Sequence, residues 1–212
     1  MSGRAHKGRR FGLAIAGLMA LFGLPVGAAQ AEGFDAAEMA RGLGISELRA
    51  GIMLHDIETS PFRPLFVEFE SVDLGKWQNL NVELLFDLPQ SDALYWVGSP
   101  RLGLAGSLNF VGKESYARLS AVWHVPVFET GIFVEPMLGG TVHNGYLDNA
   151  PADRRNLGCR FLFQYGMNLG YEVTEKLSAM FTVEHSSHLW LCGEQTNDGV
   201  NRAGFRLGWK LD

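Results

Sequence analysis

The sequence predicts an all-β protein, an eight-stranded antiparallel transmembrane β-barrel of the up-and-down type. From Glu47 onward, apolar and polar residues alternate in eight segments of about ten residues, the length that a tilted transmembrane strand needs. The apolar faces carry large residues almost without interruption, while the polar faces collect charges of both signs. An even number of strands lets every strand edge pair with a neighbour, which favours a closed barrel.

The first four segments place large apolar residues at every second position, as expected for strands with one apolar face. Their apolar faces span positions 48–54, 80–88, 102–110 and 117–123. Arg49, Glu83 and Arg118 are among the residues that point the other way. In a transmembrane barrel the apolar face contacts lipid and the polar face lines the interior, so we expect these charges inside.

The last four segments follow the same pattern at positions 132–142, 161–169, 181–187 and 205–211. The seventh carries Phe181, Val183, His185 and Ser187 on one face, so a His and a Ser end an otherwise apolar surface. Asn201 opens the eighth segment on the same kind of face. We therefore expect His185, Ser187 and Asn201 to meet on the lipid-facing side of the barrel.

A soluble exported β-sandwich is the alternative fold, because two packed sheets produce the same alternation. Charges of both signs favour the barrel, since they can neutralise one another inside a narrow interior. Ten charged residues are expected there: Arg49, Glu83, Asp87, Arg118, Glu135, Arg160, Glu184, Arg202, Arg206 and Lys210. His55, His124 and His143 also fall on interior faces, but of different strands, and we do not expect them to form a metal site.

The connections between segments alternate in length, as they do in outer-membrane barrels. If the first strand starts from the periplasmic side, the connections at 58–76, 144–158 and 189–199 are long outer loops, whereas the outer connection at 112–115 and the inner turns at 126–130 and 172–176 are short. The inner turn at 89–100 is longer than this rule predicts. Cys159 and Cys192 fall at the same outer rim, which predicts a disulfide, with two unpaired thiols as the alternative and zinc a weak case.

Residues 1–31 have the features of a secretory signal peptide. Four basic residues precede an apolar run from Phe11 to Gly27, and Ala29-Gln30-Ala31 is a small-x-small cleavage site. Residues 32–46 then form a helical or irregular lead-in, and 47–212 the barrel. Without the four basic residues of the leader, 14 basic residues face 23 acidic ones, a net charge of −9 that argues against a nucleic-acid partner.

The C-terminal third resembles the lipid A 3-O-deacylase family, whose barrels carry a His-x-Ser-Asn motif followed by an Asn-x-Gly loop and an acidic residue. The matching residues here are His185-Ser186-Ser187-His188 and Asn197-Asp198-Gly199-Val200-Asn201. The surroundings of Cys159 and Cys192 are similar to a cysteine-containing variant of the family. The resemblance covers about the last 60 residues.

The resemblance implies an esterase in the Gram-negative outer membrane. It would remove the 3-O-linked hydroxyacyl chain from lipid A, the lipopolysaccharide anchor. We expect no cofactor and no metal site, and the sequence leaves any cation requirement open. Ser187 would be the nucleophile and His185 its base, as in other Ser-His acyl-transfer sites. His188 and Gly199 are the candidates for contacts with the substrate or the oxyanion. The resemblance leaves the oligomeric state open.

Two positions depart from the family pattern. Asn201 stands where the family has an acidic residue, and His188 stands where it has Asn. Asn201 can orient the His185 ring but supplies no negative charge to stabilise the imidazolium. Glu194 and Asp198 are nearby acids that could replace the missing carboxylate. The alternative function is therefore a non-catalytic outer-membrane barrel, such as a surface or adhesion protein.

Overall fold

The computed structural model describes residues 36–57, 59–60, 63–67, 73–193 and 195–211. The predicted signal peptide and the first part of the lead-in lie outside these residues. Within them, helix α1 (Ala36–Gly42) precedes the barrel, α2 (Asp92–Trp96) lies between the second and third barrel strands, and a single 3₁₀ turn spans Leu74–Lys76. The described part of the lead-in is helical over Ala36–Gly42, and the first strand begins at Ile45, two residues before the predicted start of the barrel.

Eight long antiparallel strands form one closed barrel. They are β1 (Ile45–His55), β2 (Trp77–Phe86), β3 (Arg101–Asn109), β4 (Tyr116–Val122), β5 (Ile132–His143), β6 (Phe161–Glu172), β7 (Leu177–Ser187) and β8 (Val200–Lys210). Each strand pairs with its sequence neighbours, and β8 pairs with β1 to close the ring. Val125–Pro126 adds a short pairing to β5, and Thr59–Ser60 pairs with Arg63–Val67 in the first outer loop. The closed barrel confirms the predicted fold class over the soluble sandwich.

The barrel wall is apolar outside and polar inside. Along β3, Leu104 and Leu108 are 47% and 56% exposed, whereas the intervening Ala105 and Ser107 are buried. Along β8, Phe205 and Leu207 are 58% exposed and the intervening Arg206 is 1% exposed. A protein in water would bury the Leu and Phe side chains and expose the Arg. The reversed polarity is the one that a lipid-facing barrel requires.

A network of buried ion pairs fills the barrel interior. Arg206 contacts Glu83 at 2.8 Å and Glu184 at 3.3 Å, and Arg118 binds both of these carboxylates. Towards the inner end, Arg49 contacts Glu135 at 2.7 Å. All of these side chains are at most 1% exposed. Each charge has opposite charges as hydrogen-bonding partners, the condition under which charges are tolerated in a protein interior.

Most of the charge prediction is confirmed, with three exceptions. Seven of the ten predicted residues are buried in the interior. Asp87 instead accepts a hydrogen bond from Ser46 beyond the inner end of β2, and Lys210 pairs with Glu172 at the inner mouth. Arg160 is exposed at the outer rim, where it donates to the carbonyl of Gly145. These three lie at strand ends, where the alternation continues but water is within reach.

Removing one interior carboxylate should destabilise the barrel strongly. Glu184→Gln would leave Arg118, Arg202 and Arg206 with one fewer counter-charge. We expect the free energy of unfolding to fall by about 3–5 kcal/mol, the usual cost of breaking a buried ion pair. Urea unfolding of the full chain in lipid vesicles measures this change. Glu129→Gln, in an exposed inner turn, is the matched control, and an equally small effect of both variants would contradict the prediction.

A second interaction between buried ionisable residues, His55 and Glu114, lies at the outer end of the barrel interior. Glu114, in the turn between β3 and β4, lies 3.0 Å from His55 at the end of β1, and both side chains are buried. Burial alone would raise the pKa of Glu114, but the hydrogen bond and charge of His55, with smaller contributions from a backbone hydrogen bond and from Arg202, lower the pKa to about 2. The Glu114 carboxylate therefore stays ionised over the whole physiological range.

The other two interior histidines lie apart from this pair. His124 is 3.0 Å from Glu135 at the inner mouth, and His143 contacts the carbonyl oxygen of Cys159 at the outer end. Among the described residues, no group of three or more His, Cys, Asp or Glu is arranged to hold a metal ion. None of the helices in the described part of the chain is long and apolar enough to cross a membrane.

Candidate active site

The pairing of β7 with β8 places His185 directly opposite Asn201. The two side chains meet on the outer face of the wall, with His185 Nδ1 2.6 Å from Asn201 Oδ1. An amide oxygen can only accept a hydrogen bond, so Nδ1 must carry the proton. The other ring nitrogen, Nε2, is then unprotonated in the neutral imidazole. Asn201 therefore selects the tautomer in which Nε2 can act as a base.

Tyr165 lies on the other side of the His185 ring. It is the residue of β6 directly opposite His185, and the two ring centroids are 5.0 Å apart with a tilt of 44°. The imidazole is thus held between Asn201 on β8 and Tyr165 on β6. Tyr165 was not among the site residues predicted from the sequence. The sequence did contain a signal for Tyr165, because this position lies on the apolar face of the sixth segment.

Ser187 ends β7 two residues beyond His185, on the same face. Its neighbour Ser186 points inward and accepts a hydrogen bond from Arg202 at 2.7 Å, which places Ser187 on the opposite, outward side. Ser187 is 8% exposed and pairs across the ladder with Phe163 of β6. In the part of the chain that the structure describes, no hydrogen bond joins the Ser187 hydroxyl to His185. The structure therefore brings His185 and Asn201 into contact and places Ser187 on the same face, with no hydrogen bond between Ser187 and His185 among the described residues.

Residues 188–193 and 195–199 of the β7–β8 loop lie at this end of the strands. Asn197 Oδ1 accepts a hydrogen bond from the backbone N–H of His188 at 3.2 Å. Asp198 turns away from the site, since its carboxylate accepts the backbone N–H of Asn156 at 2.7 Å in the preceding outer loop. Asp198 thus does not replace the missing acidic partner of His185. Glu194, the other acid considered, lies outside the described residues.

Gly199 lies against the edge of the His185 ring. Its φ is +63°, a conformation that side chains with a Cβ rarely adopt, and a Cβ at this position would be 3.1 Å from His185 Cε1. Glycine therefore allows the loop to reach β8 without displacing the imidazole. Local contacts explain the Asn-x-Gly sequence. The Asn197 side chain accepts a hydrogen bond from the backbone just after β7, and Gly199 leaves space for the His185 ring.

His188 lies deeper than the outward-facing residues. Its ring is fully buried, and a Cβ at Gly158 would be 2.7 Å from His188 Nε2. Neither ring nitrogen has a hydrogen-bond partner among the described residues. The backbone N–H of His188 already donates to Asn197. The His188 ring therefore packs beneath the loop and does not join His185 on the outer face.

A disulfide fixes the same loop to the barrel. Cys159, just before β6, is bonded to Cys192 in the β7–β8 loop, with a Cα–Cα distance of 6.0 Å. This confirms the pairing predicted from the strand register. Leu189, Trp190 and Leu191 precede Cys192 and are 49%, 81% and 56% exposed. The bridge holds this exposed apolar segment at the outer rim beside the site.

Comparison with protein families identifies one relevant match. The family described as lipid A 3-O-deacylase (PagL) matches residues 78–210, which is more than half of the chain and includes every site residue above. A search of curated protein sequences finds no match.

Two solved structures have similar folds. The crystal structure of the outer membrane enzyme PagL has a TM-score of 0.50 at 13% identity, with 77% of this chain and 99% of that chain covered. The N-terminal β-barrel domain of Pseudomonas aeruginosa OprF has a TM-score of 0.48 at 14% identity, with 78% and 96% covered. At such low identity, the likeness to the PagL structure concerns the barrel fold alone.

Proposed function

We propose that this chain, which belongs to the lipid A 3-O-deacylase (PagL) family, is an outer-membrane ester hydrolase that acts on lipid A. The ester cleaved would join a hydroxyacyl chain to the 3-oxygen of a lipid A sugar. The observation that carries the proposal is the contact of His185 Nδ1 with Asn201 Oδ1 at 2.6 Å on the outer wall. This contact supports His185 as a base whose Nε2 is unprotonated. The ring lies on the outer surface of the wall, where a lipid substrate would bind.

In the proposed reaction, His185 Nε2 takes the proton of the Ser187 hydroxyl while Ser187 Oγ attacks the ester carbonyl carbon. Rotation of the Ser187 side chain towards Nε2 would complete this contact, since both residues are on one strand face. The resulting imidazolium donates from Nδ1 to Asn201. Asn201 would hold the ring and its tautomer without neutralising the positive charge.

Collapse of the tetrahedral intermediate would break the bond between the carbonyl carbon and the sugar oxygen. His185 would return its proton to that oxygen, which leaves as the sugar hydroxyl. Water activated by the same nitrogen would then release the acyl chain from Ser187 as a free hydroxy fatty acid. We propose the backbone N–H of Gly199 as the oxyanion donor, because this residue lies beside the His185 ring. The buried ring of His188 makes it the weaker of the two candidates.

Mass spectrometry of lipid A tests the proposed reaction directly. Cells producing the full chain should contain lipid A that has lost one ester-linked hydroxyacyl chain, compared with cells carrying an empty vector. Heat-modifiable migration of the protein on gels would establish that the barrel is folded in the outer membrane. Unchanged lipid A alongside folded barrel would refute the proposed activity.

Gly199→Ala should impair hydrolysis more than folding. The added Cβ would press on His185 Cε1, and misplacing a catalytic group by about 1 Å can lower the rate about a hundredfold. Gly193→Ala is the matched control, because Gly193 also has a positive φ, +70°, but a methyl group added there would meet nothing within 4 Å. Rates of hydroxy fatty acid release by the two purified variants give the comparison. Equal losses in both would assign the effect to backbone strain alone.

A non-catalytic surface barrel is the second candidate, and Asn201 is the observation that favours it. A Ser-His pair without a carboxylate can be about ten-thousandfold slower than a complete triad. Such a protein would keep the barrel and the outer rim but turn over no lipid. Ser187-dependent release of fatty acid from lipopolysaccharide micelles would eliminate this candidate.

A further inference from the structure

The inner turn that is longer than the barrel rule predicts contains helix α2, and this helix exposes aromatic side chains. Tyr95 and Trp96 are 72% and 84% exposed, and Val97, the next residue, is 56% exposed. Phe128, in the neighbouring inner turn, is 90% exposed. We call these four residues the turn-helix patch. None of the residues from 93 to 98 carries a charge.

The patch is continuous with the lipid-facing wall. Trp123, which follows β4, donates a hydrogen bond from Nε1 to the Val97 carbonyl at 2.7 Å. Its ring also packs on Gly98, where a Cβ would lie 3.2 Å away. Further along the wall, Leu104 of β3 and Leu119 of β4 are 47% and 53% exposed. The helix is thus joined to the edge of the apolar band at the inner end of the barrel.

We propose that the turn-helix patch is an interfacial anchor that binds the inner leaflet of the membrane, at the boundary between phospholipid headgroups and acyl chains. Trp and Tyr favour this boundary because their rings are apolar while the indole N–H and phenol O–H reach water and headgroups. The hydrogen bond from Trp123 fixes the height of the helix relative to the wall. The long inner turn can therefore act as an anchor, which a short turn could not do, because it adds aromatic residues beyond those of the barrel wall.

Fluorescence quenching tests the anchor. The full chain is reconstituted in phosphatidylcholine vesicles, with or without lipids brominated near the headgroup, and the difference between wild type and Trp96→Phe isolates the emission of Trp96. We expect brominated lipid to quench this emission and aqueous iodide to leave most of it. Trp209, which is 51% exposed on the wall, gives the reference for a lipid-contacting ring through Trp209→Phe.

Two results would overturn the anchor. Quenching of Trp96 by iodide but not by brominated lipid would mean that the helix projects into water. Protection of Trp96 from both quenchers would mean that protein covers it, either a second copy or another partner. The test needs no enzymatic activity, so its outcome is independent of the proposed function.

A separate observation concerns the missing carboxylate, and this second inference rests on the proposed function. The Tyr165 ring is 5.0 Å from the His185 ring, on the side opposite Asn201. A cation that lies over the face of an aromatic ring, within about 6 Å of its centroid, is attracted to the π-electrons. We infer that Tyr165 is a positioning residue that stabilises the His185 imidazolium and so replaces part of what an acidic residue at 201 would supply.

A double-mutant cycle tests the role of Tyr165. Tyr165→Leu should lower kcat about three- to thirtyfold with little change in KM, and Tyr165→Phe should recover most of the loss because it keeps the ring. In an Asn201→Asp background the same Leu substitution should cost less. Tyr171→Leu, on the same face of β6 and remote from His185, is the control.

Equal losses with Asp and Asn at position 201, or a Tyr165→Phe variant as impaired as Tyr165→Leu, would overturn the role of Tyr165. The Nδ1–H resonance of His185 in an NMR spectrum adds a readout that needs no turnover. We expect it to be sharp in wild type and in Tyr165→Phe, and broadened in Tyr165→Leu. A sharp resonance in Tyr165→Leu would overturn the inference, whereas absence of wild-type hydrolysis with the expected spectra would contradict only the proposed function.

Discussion

Replacing Ser187 with alanine is expected to abolish the Ser187-dependent hydrolysis of the ester. Loss of the nucleophile costs about a million-fold in kcat in a complete triad, but with Asn at position 201 the starting rate is already lower, so we expect a drop of about a hundredfold, to the residual rate that binding and oxyanion contacts provide. Without the hydroxyl, His185 has no proton to take and no acyl-enzyme can form. The barrel should be unaffected, because the Ser187 hydroxyl makes no hydrogen bond within the described residues. Release of hydroxy fatty acid from purified lipopolysaccharide measures the loss.

Ser186→Ala is a matched control for this variant. Ser186 is the adjacent serine on the same strand, but its hydroxyl faces the interior and binds Arg202. Its removal should cost about 1–3 kcal/mol of stability by leaving a buried charged donor short of a partner, while hydrolysis continues. If Ser187→Ala retained activity, or if Ser186→Ala abolished it in folded protein, Ser187 would not be the nucleophile.

Asn201→Asp should increase the rate of hydrolysis. The substitution preserves the shape of the side chain and the acceptor for His185 Nδ1–H while adding a negative charge next to the developing imidazolium. The reverse change in a serine protease lowers kcat about ten-thousandfold, which sets the upper limit of the gain. Initial rates of wild type and Asn201→Asp on the same lipopolysaccharide preparation give the ratio.

Asn197→Asp separates the effect of position from the effect of charge. Asn197 lies in the same loop, and an Asp there keeps the acceptor for the His188 backbone N–H but does not contact His185. We expect no comparable increase from it. A gain of similar size in both variants would indicate a general electrostatic effect on the substrate, and no gain in Asn201→Asp would contradict the role assigned to Asn201.

The strands and their orientation could be predicted from the sequence because each segment alternates without interruption. A one-residue shift in register would point the side chain of Arg206 or Glu83 towards the lipid, so the pattern allows a single register. The register also brought Cys159 and Cys192 to the same rim. The alternation was misleading for Asp87, Arg160 and Lys210, because it carries no information on where the membrane ends.

The site was predictable only in part. Register placed His185 and Asn201 on one face, and their hydrogen bond follows from direct cross-strand pairing. The depth of His188 was not predictable, because the residue lies beyond the end of the strand, where alternation no longer determines direction. The contact between Gly199 and His185 depends on a positive φ in the loop, which the Asn-Asp-Gly sequence favours without specifying its neighbour.

Helix α2 and the pairing of Thr59–Ser60 with Arg63–Val67 were not predicted either. Both are short elements inside connections, and neither has enough residues for a periodic pattern to be distinguished. Ser91 caps the start of α2 by accepting a hydrogen bond from the N–H of Leu94, and this local signal was present in the sequence. A serine alone, however, precedes many loops as well.

The ion pairs in the barrel interior also determine how the protein affects the membrane that holds it. An eight-stranded barrel has just enough interior space for its side chains, unlike the wide aqueous channel of a porin. A solute passing along the axis would have to displace arginines and glutamates that bind one another, such as Arg206 and Glu83. We therefore expect the barrel, inserted in a planar lipid bilayer, to conduct no porin-like ion current.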